Sequence, residues 1–171
     1  MMTSRSLINF VLFQGVWFMA LFLENTAILP GLTVICLMFY LSKQKQQDAI
    51  LLSYGLLIAL GFEWLATQLQ LLSFNILPLP AWLVMLWAAL LLTLNTSMDF
   101  LTRLPWYFAV LACSVFAPAS YLAGARFGVL NIEVPVWQFW SVYGVMWAIM
   151  FFVIMLINKR VATYLATVKK P

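Results

Sequence analysis

A single carboxylate, Glu63, sits in the middle of the apolar run ILLSYGLLIALGFEWLATQLQLL, residues 50–72. An ionised side chain at the centre of a bilayer costs roughly 2.5–3.5 kcal/mol on insertion scales. Two arrangements relieve that cost. Glu63 is held as the neutral acid, or it pairs with a cation and hydrogen-bond donors inside a helix bundle. Thr67 and Gln70 follow at i+4 and i+7 and share its helical face. The cation nearest in depth is Arg126, at the end of the fifth apolar run, with Glu24 as a competing partner. Its long side chain reaches back into a bundle or outward to water. A Glu63–Arg126 pair would suit proton transfer by Glu63, with Arg126 holding an anionic head group or a developing oxyanion. It would equally suit a structural role fixing helix register. Buried polar contacts in membranes average only about 0.6 kcal/mol.

Other polar groups at similar depth are Gln14, Asn25, Gln68, Ser120, Tyr121 and Gln138. Gln14, Glu63, Thr67, Asn95, Tyr121 and Arg126 form the candidate binding set, and Glu63 and Arg126 the candidate catalytic groups. Ser120, Gly124 and Gly128 are spaced i, i+4, i+8, a small-residue stripe that would let another helix approach closely. Pro118 removes a backbone donor and predicts a kink. Asn95, Thr96 and Ser97 would bond between helices or turn the chain, and Asp99 and Arg103 would pair at i, i+4. The chain has no histidine, which excludes histidine-based zinc sites and Ser-His-Asp triads. Cys36 and Cys113 lie in apolar runs and read as small hydrophobes. Neither a metal nor a cofactor is called for.

The elements that position these groups are membrane helices. Of 171 residues, 65% are hydrophobic and only 8% charged, against about 25% charged in soluble domains. The solvent is therefore lipid. The fold class is all-α, a polytopic bundle of six transmembrane helices forming a single domain over residues 1–171. Its spans fall at about 7–23, 26–41, 50–72, 79–98, 106–124 and 136–158. The N-terminal run lacks a small-x-small cleavage pattern and reads as a retained helix. A three-plus-three inverted repeat fits the helix count but has no matching motifs. With both ends on one side, that side carries Arg5, Lys43, Lys45, Arg103, Lys159, Arg160, Lys169 and Lys170; the other carries Arg126 alone. The positive-inside rule then predicts that both termini are cytoplasmic. Topology thus accounts for the net charge of +4 without nucleic acid. Trp82, Trp106, Tyr107 and Trp137, near run ends, suit the membrane interface. The tail NKRVATYLATVKKP reads as a solvated stop-transfer tail or as a segment lying on anionic lipid.

The motifs NFVLFQGVWF (9–18), the acidic residue of the third span, TLNTSMDFL (93–101) and APASYLAGARFG (117–128) together resemble the bacterial inner-membrane family catalogued as domain of unknown function 2878. Asn9, Gln14, Asn95, Pro118, Tyr121, Gly124 and Arg126 stand at that family's polar and special positions; its third span more often carries Asp where this chain has Glu63. The resemblance implies the bacterial inner membrane. It also implies a link to lipid metabolism, since the family's genes lie near cyclopropane-fatty-acid-synthase-like genes. Three functions follow as expectations. The first is an accessory protein that binds membrane lipids, a partner membrane protein or a second copy of itself. The second is a lipid-modifying enzyme using Glu63 and Arg126, and the third a small proton-coupled permease, for which six helices would suffice in a dimer.

Overall fold

The computed structural model describes residues 3–76 and 78–168. Lys169 and Lys170, counted above on the basic side, lie outside the described residues. Helix α1 (Ser4–Leu23) starts at Thr3, whose side chain accepts from the Ser6 amide at 3.2 Å. At Glu24 the backbone turns (φ +46), one 3₁₀ turn follows over Glu24–Ala27, and α2 (Ile28–Tyr40) folds back against α1. Then come α3 (Lys45–Gln68), β1 (Leu72–Phe74), α4 (Ala81–Leu91), α5 (Asp99–Arg103), α6 (Trp106–Arg126), β2 (Leu130–Ile132) and α7 (Val136–Val168). Three helices begin directly after a proline, which has no N–H to leave unpaired, and each proline carbonyl accepts from the first turn. Leu83 N donates to Pro80 O at 3.1 Å, Phe108 N to Pro105 O at 2.9 Å, and Phe139 N to Pro135 O at 2.9 Å.

Four described stretches are long and apolar enough to cross a membrane: Ser4–Tyr40, Lys45–Gln68, Trp106–Arg126 and Val136–Val168. The first contains the turn between α1 and α2. Within the fourth expected span, 79–98, the helix is shorter than expected: α4 has only 11 residues, about 16 Å, against about 30 Å of hydrocarbon. The chain then runs through turns to Met98. Irregular backbone at such depth must find partners within the protein. Asn9 Nδ2 donates to Leu92 O at 3.3 Å, Ser6 Oγ to Thr96 O at 3.3 Å, and Met98 N to Thr93 O at 2.8 Å. Asn9 Oδ1 in turn accepts from Ser97 Oγ at 2.6 Å. Helix α7 continues without a break beyond the expected end of the sixth span at 158 to Val168, so Lys159, Arg160 and Tyr164 ride on the last helix.

Helices α3 and α6 end alike. Gln70 adopts φ +53 and Gly128 φ +79. Leu71 N donates to Ala66 O at 3.1 Å and Gln70 N to Thr67 O at 3.0 Å. Val129 N donates to Gly124 O at 3.3 Å and Gly128 N to Ala125 O at 3.1 Å. Both are Schellman caps, with a left-handed residue just past the helix. Each cap delivers the chain into a short strand, and the two strands pair antiparallel: Leu72 with Ile132, Ser73 with Asn131, Phe74 with Leu130. Ser73 bonds Glu133, and Asn75 Nδ2 donates to Gly128 O at 3.3 Å. This ribbon ties α3 to α6 and replaces the expected extension of the third helix to residue 72.

The small-residue stripe is corrected too. Gly128 lies beyond α6, and a Cβ on Gly124 would meet Val129 and Leu130 of its own following turn and strand, not another helix. At Gly144 of α7 a neighbouring helix approaches closely with its backbone. A Cβ there would stand 2.6 Å from the Ser114 carbonyl oxygen and 3.2 Å from Pro118. Ser114 O is the acceptor that Pro118, lacking N–H, leaves without its helical partner. Helix α7 packs on α6 and α3; α4 sits centrally against α1, α2 and α3. Trp82, expected at the interface, is in the core, edge-on to Phe74; Trp106, Tyr107 and Trp137 are exposed.

Candidate functional site

Glu63 is fully buried, at 0% exposure. Trp87 Nε1 of α4 donates to Oε1 at 3.0 Å. Tyr143 OH of α7 lies 3.2 Å from both carboxyl oxygens, and Tyr121 OH of α6 bonds Oε1. Four helices thus meet at one carboxyl group. Rings fix the donors: Tyr143 stacks on Phe139 with centroids 4.7 Å apart and lies 4.9 Å from Tyr121, while Trp87 stacks on Trp147 at 5.6 Å. An acceptor-only carboxylate has about four lone-pair sites, and these neutral donors fill most of them.

The expected Glu63–Arg126 pair does not form. Arg126 closes α6, five residues beyond Tyr121, which places it about 7.5 Å further along the axis and about 140° around it. Its side chain is exposed. The ion pair seen among the described residues is Arg103–Asp99 at 2.5 Å on α5, as the i, i+4 spacing predicted. Thr67 donates to Trp64 O of its own helix at 2.7 Å, and Gln70 is exposed past the helix end, so neither backs Glu63. Of the candidate set, only Tyr121 reaches it. Trp87 and Tyr143 were missed: in apolar runs their rings count as hydrophobic, although buried Trp and Tyr need a partner for N–H and O–H.

Tyr121 also lines a cavity of about 530 Å³ with walls from α1, α4, α6 and α7 and the 98–101 segment. Room for it comes from small side chains on one face of α6: Ala112, Cys113, Ala117 and Ser120. Phe100 and Phe116 belong both to its wall and to the exposed surface, so the cavity opens sideways. Between α1 and α6 the walls touch through Trp17 Nε1, which donates to Ser120 Oγ at 3.1 Å, and through the edge-on pair Phe22–Phe127. Among the described residues, no charged side chain lines it. Gln14 faces it from α1 and makes no hydrogen bond within the described chain.

Asn95 lies in a different cluster, away from Glu63. Its Nδ2 donates to Asp48 Oδ1 at 2.8 Å. Gln47 Nε2 donates to Asn158 Oδ1 at 2.7 Å and Asn158 Nδ2 to Asn95 Oδ1 at 2.8 Å. Ser42 bonds the other Asp48 oxygen. Three carboxamides and one buried carboxylate thereby knit α3, the 92–98 turns and α7 together. Beside them is a second cavity of about 530 Å³ that Lys159 and Asp99 also border. The geometry therefore divides the expected site: a sealed carboxyl behind Tyr121, an apolar lateral cavity, and a self-satisfied polar cluster around Asn95.

The sequence profile of a family described as "Protein of unknown function (DUF2878)" matches residues 6–153. No curated protein and no solved structure matches the chain.

Proposed function

We propose that this chain, which belongs to that family, is a multi-pass membrane protein that takes a lipid into the cavity between α1 and α6. The single observation that carries the reading is that lateral, mostly apolar cavity of about 530 Å³, within the range of sites for small ligands. Its mouth is set among exposed apolar side chains such as Leu111, Phe116 and Phe100, so the occupant enters from the bilayer and not from water. The proposal includes six crossings with both termini in the cytoplasm. The charge distribution supports this, with α1–α2 folded as a hairpin and α4 crossing together with the turns that follow it. It also places the chain in a bacterial inner membrane, as an accessory protein of lipid metabolism.

The test is native mass spectrometry of the full chain released from nanodiscs. One lipid per chain is expected to stay bound. Ala117→Trp, which fills the cavity from α6, is expected to remove it without loss of helicity. No retained lipid, or equal retention by Ala117→Trp, counts against the reading. A second reading, a lipid-modifying enzyme, draws support from one contact: Tyr121 lines the cavity while its hydroxyl bonds Glu63. Proton exchange between Glu63 and an occupant would then pass through Tyr121. An unchanged lipidome in a deletion strain under fatty-acid stress would sink that version alone.

A further inference from the structure

The cavity beside the carboxamide cluster shares no lining residue with the lateral cavity. Gln44 and Gln47 from the start of α3, Asn95 from the turns, and Asn158 and Lys159 from α7 form its polar side. Trp106, Phe152, Met155 and Leu156 form the other side. Trp106 and Leu156 are 61% and 44% exposed, so this apolar wall continues onto the outer surface of α6 and α7. The cavity thus joins a polar recess to an apolar face, as the two ends of an amphiphile require.

Part of the polar side is already bonded, and what is left over is selective. Asn95 and Asn158 bond each other, and Asp48 behind them has both oxygens bonded, one by Asn95 at 2.8 Å and the other by Ser42. Gln47 directs its N–H₂ at Asn95 Oδ1 and Asn158 Oδ1, at 3.1 and 2.7 Å. Its own Oε1 accepts from no group among the described residues, yet it is not sealed from contact. The exposed Lys159 ammonium makes no ion pair or hydrogen bond among the described residues, and neither does the exposed Gln44 carboxamide. The recess therefore offers a cation and an acceptor that only a donor can meet. Asp99, the carboxylate on its border, is bonded by Arg103 at 2.5 Å. Arg5, which bonds Thr96 of the turns at 3.5 Å, lies at this end of the bundle. So do Lys43, Lys45, Arg103, Lys159 and Arg160, each on the lining or within a few residues of it. Against these six cations stand two carboxylates, Asp48 and Asp99. The local field favours an anion.

We propose that this recess is a second lipid site, for the head group of an anionic phosphodiester lipid that carries free hydroxyls. Basic pockets between membrane helices suit such head groups. The phosphate lies at Lys159, a charge-assisted contact. One hydroxyl donates to Gln47 Oε1, and Gln44 bonds another. An acyl chain runs over Phe152, Leu156 and Trp106. A quaternary ammonium has no hydrogen for Gln47, and a primary ammonium meets Lys159 while Arg103 already holds Asp99. The site stands whether or not the lateral cavity takes a lipid.

The experiment uses the full chain in phosphatidylcholine nanodiscs with a trace of phosphatidylglycerol that carries a diazirine on its acyl chain, its cross-links mapped by mass spectrometry. Competitors are unlabelled phosphatidylglycerol, phosphatidylmethanol and phosphatidylethanolamine, each replacing a small share of the matrix, and glycerol 1-phosphate in solution. Saturable label is expected at 104–106 and 152–156, beside the recess. Phosphatidylglycerol is expected to bind about tenfold better than the matrix lipid, the order of one hydrogen bond to a charged group. It is expected to bind about threefold better than phosphatidylmethanol, which keeps the charge and lacks the hydroxyls. Lys159→Gln is expected to abolish the first preference and keep the second. Arg160→Gln, one residue away and outside the lining, is expected to change neither. Label without saturation, best competition by phosphatidylethanolamine, or equal loss in Arg160→Gln and Lys159→Gln overturns the proposal. Equal competition by phosphatidylmethanol overturns its hydroxyl part, and equal competition by glycerol 1-phosphate overturns a lipid as the source. Saturable label confined to α1 and the middle of α6 reports the lateral cavity and overturns this inference alone.

Discussion

Replacing Glu63 with alanine removes the common acceptor of three donors that come from α4, α6 and α7. At about 0.6 kcal/mol per membrane hydrogen bond, losing three costs about 2 kcal/mol. If each donor is instead left buried and unpaired, at about 2 kcal/mol apiece, the cost rises to about 6 kcal/mol. Glutamine keeps the shape and one carbonyl oxygen. That oxygen accepts from two of the three donors, and its N–H₂ finds the oxygen of Tyr143 or Tyr121. Glu63→Gln is therefore expected to cost about 1 kcal/mol and Glu63→Ala about 2–6 kcal/mol. The assay is reversible unfolding in mixed micelles with rising sodium dodecyl sulfate, read by loss of helicity and by tryptophan fluorescence, since Trp87 and Trp147 report on the cluster. Equal costs for alanine and glutamine, or an alanine variant within 0.5 kcal/mol of the parent on the scale of ordinary surface changes, would refute the view that Glu63 organises four helices through neutral donors.

Gly144→Ala sets a methyl group against the Ser114 carbonyl and Pro118, neither of which can yield, and is expected to cost about 1–3 kcal/mol in the same unfolding assay. Gln70→Gly relieves a left-handed turn at an exposed residue and is expected to stabilise by about 0.5–1 kcal/mol, whereas Gly128→Ala at the matching turn is expected to destabilise by a similar amount. Single and double alanine variants of Asn95 and Asn158 are expected to show a coupling of about 0.6–1.7 kcal/mol in a double-mutant cycle; independence would show that the carboxamide cluster does not act as a unit.

Hydrophobic runs located the helices because lipid demands apolar side chains wherever backbone hydrogen bonds close locally. They could not locate where helices stop. Gln70 carries no sign of a positive φ, which glycine or asparagine normally marks, so α3 looked four residues longer and Leu72, the first residue of β1, fell inside its run. Gly128 did carry that sign but fell in register with Ser120 and Gly124, and the same three residues read as a packing stripe. Glu63 was found at once, as a charge where none belongs. Its partners were not, because a search for the opposite charge passes over Trp87 and Tyr143, whose polar atoms are a small part of large rings. Gly144, where α7 meets the backbone of α6, was legible only once Pro118 and Ser114 were seen across from it.

The three groups that bond Glu63 lie 24, 58 and 80 residues further along the chain. At about 5–20 residues per second of synthesis, Trp87 is made about 1–5 s after Glu63 and Tyr143 about 4–16 s after it. The growing chain therefore holds the third helix in the translocation machinery or the bilayer with its acidic group unmatched, and matches it in three instalments. A chain halted after α4 has the indole but neither phenol. The ribbon imposes the same order, since Ser73 waits 60 residues for Glu133. Assembly of this protein is thereby timed from its C-terminal half: α3 is committed to its place only when α6 and α7 have been delivered.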